Sequence, residues 1–424
     1  MPFIQSRRIQ SNPLCAVNNA RITYWLRLVW APVLIGLEFT NLFTIISEGG
    51  KTHLADPRSP YLLQIATYGV SALIVTLDPS NAIRLMQRRI FKWTFAVLTL
   101  FTWGMLVRTF YLPAGIQSYD VLRTFGLEVH AIGFILACVV IFDHPKVLAI
   151  VKAGVALATL LGIALNLYEV FHPGTFSATS ARAAGLYVDS NASGMALVLG
   201  CLVALTAIPP RWRESFLLLT FAGVVVTFSR EAILAFAIVV VGAAFGRALS
   251  LRRLVVGGAV ACALFSALEL GNALRESKSW DEANFERLSF ATGDASAQER
   301  LQLGRRMLDE FEAAPLFGHG FGTDEYWSVI QPSHDFFLDM LANYGLLGAF
   351  LIPALILSVR RKAWDWATFG LVFLIWSFFL HLVLLLPFSL IVIAIEAVEA
   401  DQPKRLLAYS NLKVPSPLQL RVNC

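Results

Sequence analysis

Apolar runs of about 15 to 25 residues, separated by short polar segments, recur from residue 24 to residue 395. A helix of about 20 residues crosses the roughly 30 Å hydrocarbon core of a bilayer. The pattern predicts helices at 24–46, 61–78, 92–112, 121–142, 147–171, 191–208, 215–229, 231–246, 253–271 and 334–358. One more apolar stretch, 364–395, is too long for a single span, and Pro387 can break it into a hairpin. The fold class that follows is all-α: a polytopic integral membrane helix bundle of about 11–12 transmembrane helices.

Composition sharpens this picture. Of 424 residues, 57% are hydrophobic and 15% charged, whereas soluble domains run near half apolar and a quarter charged. A water-soluble fold would have nowhere to put the excess apolar surface. The formal charge of +5 sits in short clusters between apolar runs instead of one basic stripe, which argues against nucleic acid as a partner. Alternate loops carry these clusters: Arg84, Arg88, Arg89 and Lys92; Lys146; Arg211 and Arg213; Arg247, Arg252 and Arg253; Arg360, Arg361 and Lys362. The positive-inside rule then puts residues 1–23 and the solvated tail 396–424 in the cytoplasm, flanking a membrane domain at 24–395. Residues 272–333 form the one sizeable outer-face loop. The first helix, behind Arg7, Arg8 and Arg21, reads as uncleaved. Five scattered cysteines offer neither a disulfide framework nor a zinc site.

Against this topology, four residues on the outer face need explaining. Arg230 lies in the turn Phe228-Ser229-Arg230-Glu231, between two helices of about 15 residues that each span only roughly 22 Å. The turn should be sunken, where an arginine either faces the bundle interior in a functional role, pairs with Glu231, or snorkels. Arg300 follows a capping-box pattern, Ser296-Ala-Gln-Glu299, that opens an amphipathic helix reaching about Ala313. It falls within the arc of Leu301, Leu303, Met307, Leu308 and Phe311, so the helix either packs on the bundle with Arg300 inward or lies at the interface with Arg300 on lipid phosphate. His334, beside Asp335 at a helix start, is a cap or a neutral imidazole able to take a proton. Arg182 precedes Gly185 and the Asp189-Ser190-Asn191 cap, and is a loop arginine or part of the same site. Arginines gathered at the outer ends of a bundle suit a multiply charged anion, because guanidinium binds phosphate oxygens bidentately and keeps its charge when desolvated. No DxD, HExxH, Walker A or GxSxG pattern is present. Other polar residues within apolar runs, Arg27, Glu38, Arg108, Arg123, Glu128, His130, Asn166, Glu169 and Glu269, are expected to pair inside the bundle.

In order and spacing these residues resemble the bacterial O-antigen ligase and O-antigen polymerase family of membrane glycosyltransferases. The resemblance rests on four segments: Arg182 to Asn191; Thr227-Phe-Ser-Arg230; Ser296 to Arg300 followed by Ala314 to Gly322; and His334 to Gly348, ending in Gly-Leu-Leu-Gly. Asp335 departs from the asparagine that family members often carry. The resemblance implies transfer of a glycan from a polyprenyl-diphosphate carrier to a sugar hydroxyl on the outer face of the bacterial inner membrane. It implies inversion, without metal, nucleotide or other cofactor, and an acceptor that is a glycan or lipid A core. Arg230 and Arg300 would bind the diphosphate, His334 would position or deprotonate the acceptor hydroxyl, and Arg182 with Asn191 would shape the donor cavity. A transporter or flippase for lipid-linked glycans is the competing reading, although no paired, symmetric halves are visible.

Overall fold

The computed structural model describes residues 13–42, 59–110, 118–177, 182–250, 252–253, 255, 258–259, 295–323, 335–361, 363–379 and 383–411. His334, Glu269, most of the expected span at 253–271 and much of the loop 272–333 lie outside the described residues. Within them every regular element is helical, and six helices are long and apolar enough to cross a membrane: Asn18–Phe39, Arg89–Phe110, Phe125–Phe142, Pro145–Phe171, Ser190–Ala207 and Phe336–Ser358. The protein is an all-α, multi-pass membrane protein.

The chain begins with α1 (Pro13–Leu34), which holds Pro32 and runs into a π-turn at Ile35–Phe39. Proline removes one backbone donor and crowds the preceding turn, which widens the helix locally. Then come α2 (Ser59–Leu77), the short α3 (Pro79–Gln87), α4 (Arg89–Phe110), α5 (Ser118–Phe142) and α6 (Pro145–Phe171). Next are α7 (Ser190–Ala207), α8 (Arg213–Val225) and α9 (Arg230–Phe245), the last two as short as their apolar runs. The amphipathic α10 (Ala295–Ala313) precedes α11 (Phe336–Tyr344), α12 (Leu351–Ser358), α13 (Trp364–Ser377) and α14 (Pro387–Asn411).

The central helix is α7, buried along nearly its whole length against α6, α8 and α9. Small residues permit this: a Cβ on Gly194 would lie 2.5 Å from the Ala232 Cβ of α9. Around this core, α9 packs on α13, α14 on α5, and α10 on α11.

Two sequence expectations change form. The apolar run ending at Ser358 is not one regular helix, because a 3-10 segment at Gly345–Phe350 separates α11 from α12. Gly345 has φ +63°, and a side chain there would strike the backbone of Leu316. The stretch 364–395 is two helices, with Pro387 opening the second at the position where a missing N–H costs least. That second helix runs past Glu396 to Asn411, so the expected solvated tail begins as packed helix. Arg361 holds Asp365 at 2.5 Å and Glu396 at 3.1 Å and also pairs with Glu399, which meets Lys152 as well; Arg88 pairs with Asp143 and reaches Asp401 at 3.5 Å. Two arginines read from the sequence only as topology signals therefore join Lys152 as cations of largely buried ion pairs.

Candidate functional site

The site is built at the opposite end of the bundle, from the loop after α6. Glu169, 2% exposed near the end of α6, organises that loop as a buried carboxylate. One of its oxygens accepts from the N–H groups of Phe176 (3.0 Å) and Ser177 (2.5 Å), the other from Ala184 (2.8 Å) and Gly185 (3.0 Å). Such a carboxylate satisfies four backbone donors that would otherwise be buried without partners. Gly185 has φ +51° and passes so close to α6 that a Cβ would lie 2.7 Å from the Asn166 Oδ1. From the far side, Tyr187 donates its hydroxyl to the Phe39 carbonyl (2.9 Å) and Asn41 donates to the Leu186 carbonyl (2.8 Å).

Arg182 is thereby delivered to the turn between α8 and α9. Its Nε donates to the Thr227 carbonyl (3.0 Å) and its terminal nitrogen to the Asn191 Oδ1 (2.7 Å), while the Ala183 N–H bonds the Val226 carbonyl (3.1 Å). Asn191 sits in the first turn of α7, which Asp189 caps through the N–H groups of Asn191 and Ala192. Arg182 and Asn191, paired from the sequence only through a shared segment, are in direct contact.

The Ser-Arg turn is buried: Thr227, Phe228 and Ser229 are all at most 3% exposed. Phe228 takes φ +49°, a costly conformation for an aromatic residue, which reverses the chain within three residues. Ser229 caps α9 through the Ala232 N–H (3.3 Å) and donates its hydroxyl to the Glu231 Oε2 (3.0 Å). The other Glu231 oxygen accepts from Arg300 at 2.8 Å, so the carboxylate pairs with α10 instead of with its neighbour Arg230.

Arg300 points inward, as the helical arc predicts. The buried stripe of α10 is narrower than the apolar arc, however: Met307 is fully buried and Gly304 abuts Leu338, whereas Leu301 and Leu308 are exposed. Arg182, Arg230 and Arg300 all meet at the α8–α9 turn, the first through Thr227, the second by belonging to it, the third through Glu231.

A second anchoring point was legible in the sequence only as three glycines. Gly318, Gly320 and Gly322 have φ of +65°, +97° and +76°. The segment bonds α11 through His319 N–H to the Ala342 carbonyl (2.9 Å) and Gly320 N–H to the Asn343 carbonyl (3.0 Å). Arg108 of α4, 1% exposed, donates to the Phe321 carbonyl (2.7 Å) and the Thr323 hydroxyl (2.9 Å). Arg108 is thus a latch that ties the glycine segment to α4. Asp335 caps α11 through the N–H groups of Phe337 (2.9 Å) and Leu338 (3.1 Å), and burial pushes its carboxyl up to about 6 despite those bonds.

Among the described residues one carboxylate trio, Asp365, Glu396 and Glu399, has its oxygens close enough to share a cation. Arg361 and Lys152 already occupy it, at the other end of the bundle.

A family model described as O-antigen ligase matches residues 215–353, from the start of α8 into α12. This similarity supports reading the chain as a membrane protein of the O-antigen ligase/polymerase type. The matched span contains Arg230, Glu231, Arg300, the glycine segment and His334, while Arg182 and Asn191 precede it. The matched domain supports an O-antigen ligase/polymerase type of function in general terms, that of a membrane glycosyltransferase-like enzyme. No curated protein matches the chain.

Proposed function

We propose that this protein transfers a glycan from a polyprenyl-diphosphate carrier to a sugar hydroxyl, at the outer face of the bacterial inner membrane. The observation that carries the reading is the meeting of Arg182, Arg230 and Arg300 at one buried turn. Three arginines brought to one buried turn favour a ligand with several negative charges.

In this reading Arg230 and Arg300 hold the diphosphate. As the glycosyl bond breaks, negative charge grows on the leaving phosphate oxygens, and prepositioned guanidinium groups stabilise that charge more than the ground state. Arg182, held between Asn191 and the Thr227 carbonyl, forms the wall of the donor cavity. His334 accepts the proton of the attacking hydroxyl, and attack opposite the diphosphate inverts the anomeric carbon. No metal is assigned a role, since the arginines supply the positive charge that a metal would bring.

The test is transfer by the purified protein in nanodiscs, supplied with lipid-linked glycan and acceptor, with a chelator present and absent. Appearance of an extended or re-attached glycan under both conditions supports the reading. Movement of the lipid-linked glycan across the bilayer without bond change would replace it with a flippase. Arg300→Ala separates the arginine assignment from the rest, since full activity in that variant removes it. A lipid A core acceptor as against a growing chain distinguishes ligase from polymerase.

A further inference from the structure

Away from the arginine turn, four polar side chains from three packed helices form one hydrogen-bonded row inside the bundle. Glu38 lies in the π-turn after α1 and is 4% exposed. Its Oε2 accepts from the Gln64 amide of α2 at 3.4 Å, and its Oε1 has no hydrogen-bond partner. The Gln64 Oε1 meets the His130 Nε2 of α5, and the His130 Nδ1 lies 3.1 Å from the Tyr68 hydroxyl of α2. That hydroxyl also donates to the His130 carbonyl at 2.6 Å. Ionisable groups within membrane helices are costly and mark function by default, and π-turns concentrate at functional places.

Assigning donors gives one arrangement of this row. With the Tyr68 proton on the shorter bond, to the His130 carbonyl, the phenol oxygen accepts from Nδ1. The Gln64 carbonyl oxygen can only accept, so Nε2 must donate as well. An imidazole donating from both nitrogens is an imidazolium, and the Gln64 amide then donates to a Glu38 carboxylate. A half-turn of that amide gives a second arrangement with the same number of protons. Glu38 is now a carboxylic acid donating to the Gln64 oxygen, and the Gln64 N–H donates to a neutral His130 Nε2. Between the two, one proton leaves Nε2 and one O–H forms on Glu38, with nothing gained or lost. The first arrangement has the stronger, charge-assisted bonds, and the second avoids separated charges in a low-dielectric interior.

We propose that Glu38, Gln64, His130 and Tyr68 form an intramembrane proton-binding site, in which one shared proton resides on His130 or on Glu38 and the Gln64 amide turns over with it. Half-buried His130 and Tyr68 are its open side, where protons enter and leave. Around it, the buried thiol of Cys138 on α5 lies close enough to interact electrostatically with Glu38 and Tyr68, Arg27 three turns down α1 bonds the Val140 carbonyl, and Tyr187 reaches the neighbouring Phe39 carbonyl. The last contact joins the π-turn to the segment that carries Arg182, so occupancy at Glu38 acts beside the arginine site.

Infrared difference spectra of the full-length protein in nanodiscs, with nitrogen NMR of labelled histidine, read both ends of the row over a pH range. The expected result is a protonated-carboxyl band, lost in Glu38→Gln, whose intensity changes together with the His130 imidazolium signal. Tyr68→Phe removes the acceptor for Nδ1 and should enlarge the carboxyl band at a given pH. Gln64→Leu should leave the two signals changing independently. A Glu38 band absent at every pH, or one unaffected by both Tyr68→Phe and Gln64→Leu, would overturn the proposal. Transfer activity is not needed for this readout, so its outcome is independent of the glycosyltransferase reading.

Discussion

Arg300 and Glu231 join α10 to the Ser-Arg turn by a contact whose chemistry bears directly on a diphosphate. At 2.8 Å, with Glu231 much the less exposed partner, the pair aims the guanidinium and competes with an incoming anion. Arg300→Ala or Arg230→Ala should cost transfer about 100-fold or more, the scale of losing one prepositioned charge stabiliser, as measured by initial rates on lipid-linked donor. Arg300→Lys should recover little, because a point charge cannot replace a planar, bidentate donor. Glu231→Gln retains the shape and the Ser229 contact but removes the rival anion, so donor KM should fall several-fold; an unchanged KM would show that Arg300 never leaves its partner. Asp335 makes a separate prediction about pH. Its folded-state carboxyl titrates near 6, above its ordinary value of 3.8, so between those limits the folded protein binds more protons than the unfolded chain. Stability should therefore decline as pH rises from about 4 to about 6. Asp335→Asn keeps the helix cap and should abolish that slope in thermal unfolding of the detergent-solubilised protein.

At the scale of elements, the glycine segment after α10 is held by close backbone approach. Gly318 combines φ +65° with a position where any Cβ would collide with the Asn343 backbone. Gly318→Ala should destabilise by more than the roughly 1–2 kcal/mol of a left-handed conformation alone. Arg108→Ala abandons buried acceptors at Phe321 and Thr323 and should cost about 2 kcal/mol, read as a lower thermal midpoint with α4 still inserted. The glycines were visible in the sequence as punctuation, and Arg108 as an intramembrane charge. That the two meet was not, because residues 108 and 321 are brought together by packing of α4 on α11, for which a local pattern carries no signal. The same holds for Glu169, whose four backbone partners come from a loop with no regular pattern.

For the whole molecule, charge is divided between two ends. One end holds the Arg88 and Arg361 ion network, the other the arginine turn. Engineered cysteines at Arg84 and Arg360 should label only from the cytoplasm, and those at Arg230 and Arg300 only from outside; labelling of 230 and 300 from opposite faces would dismantle the site. The sequence by itself determined the all-α membrane architecture, the short helices around the Ser-Arg turn and the inward face of Arg300. These follow from apolar run length, helical periodicity and charge placement, each a property of neighbouring residues. Only the tertiary structure decided which carboxylate meets which cation: Glu231 takes Arg300 and not Arg230, Glu38 takes Gln64 and not Arg27, and the last helix carries acids onto Lys152, Arg88 and Arg361. In a bundle built mostly of apolar helices, hydrophobicity specifies that segments pack but hardly which segments. Partners are chosen by small-residue contacts such as Gly194 on Ala232 and by the need to satisfy every buried polar group at once, conditions that exist only when the helices are assembled.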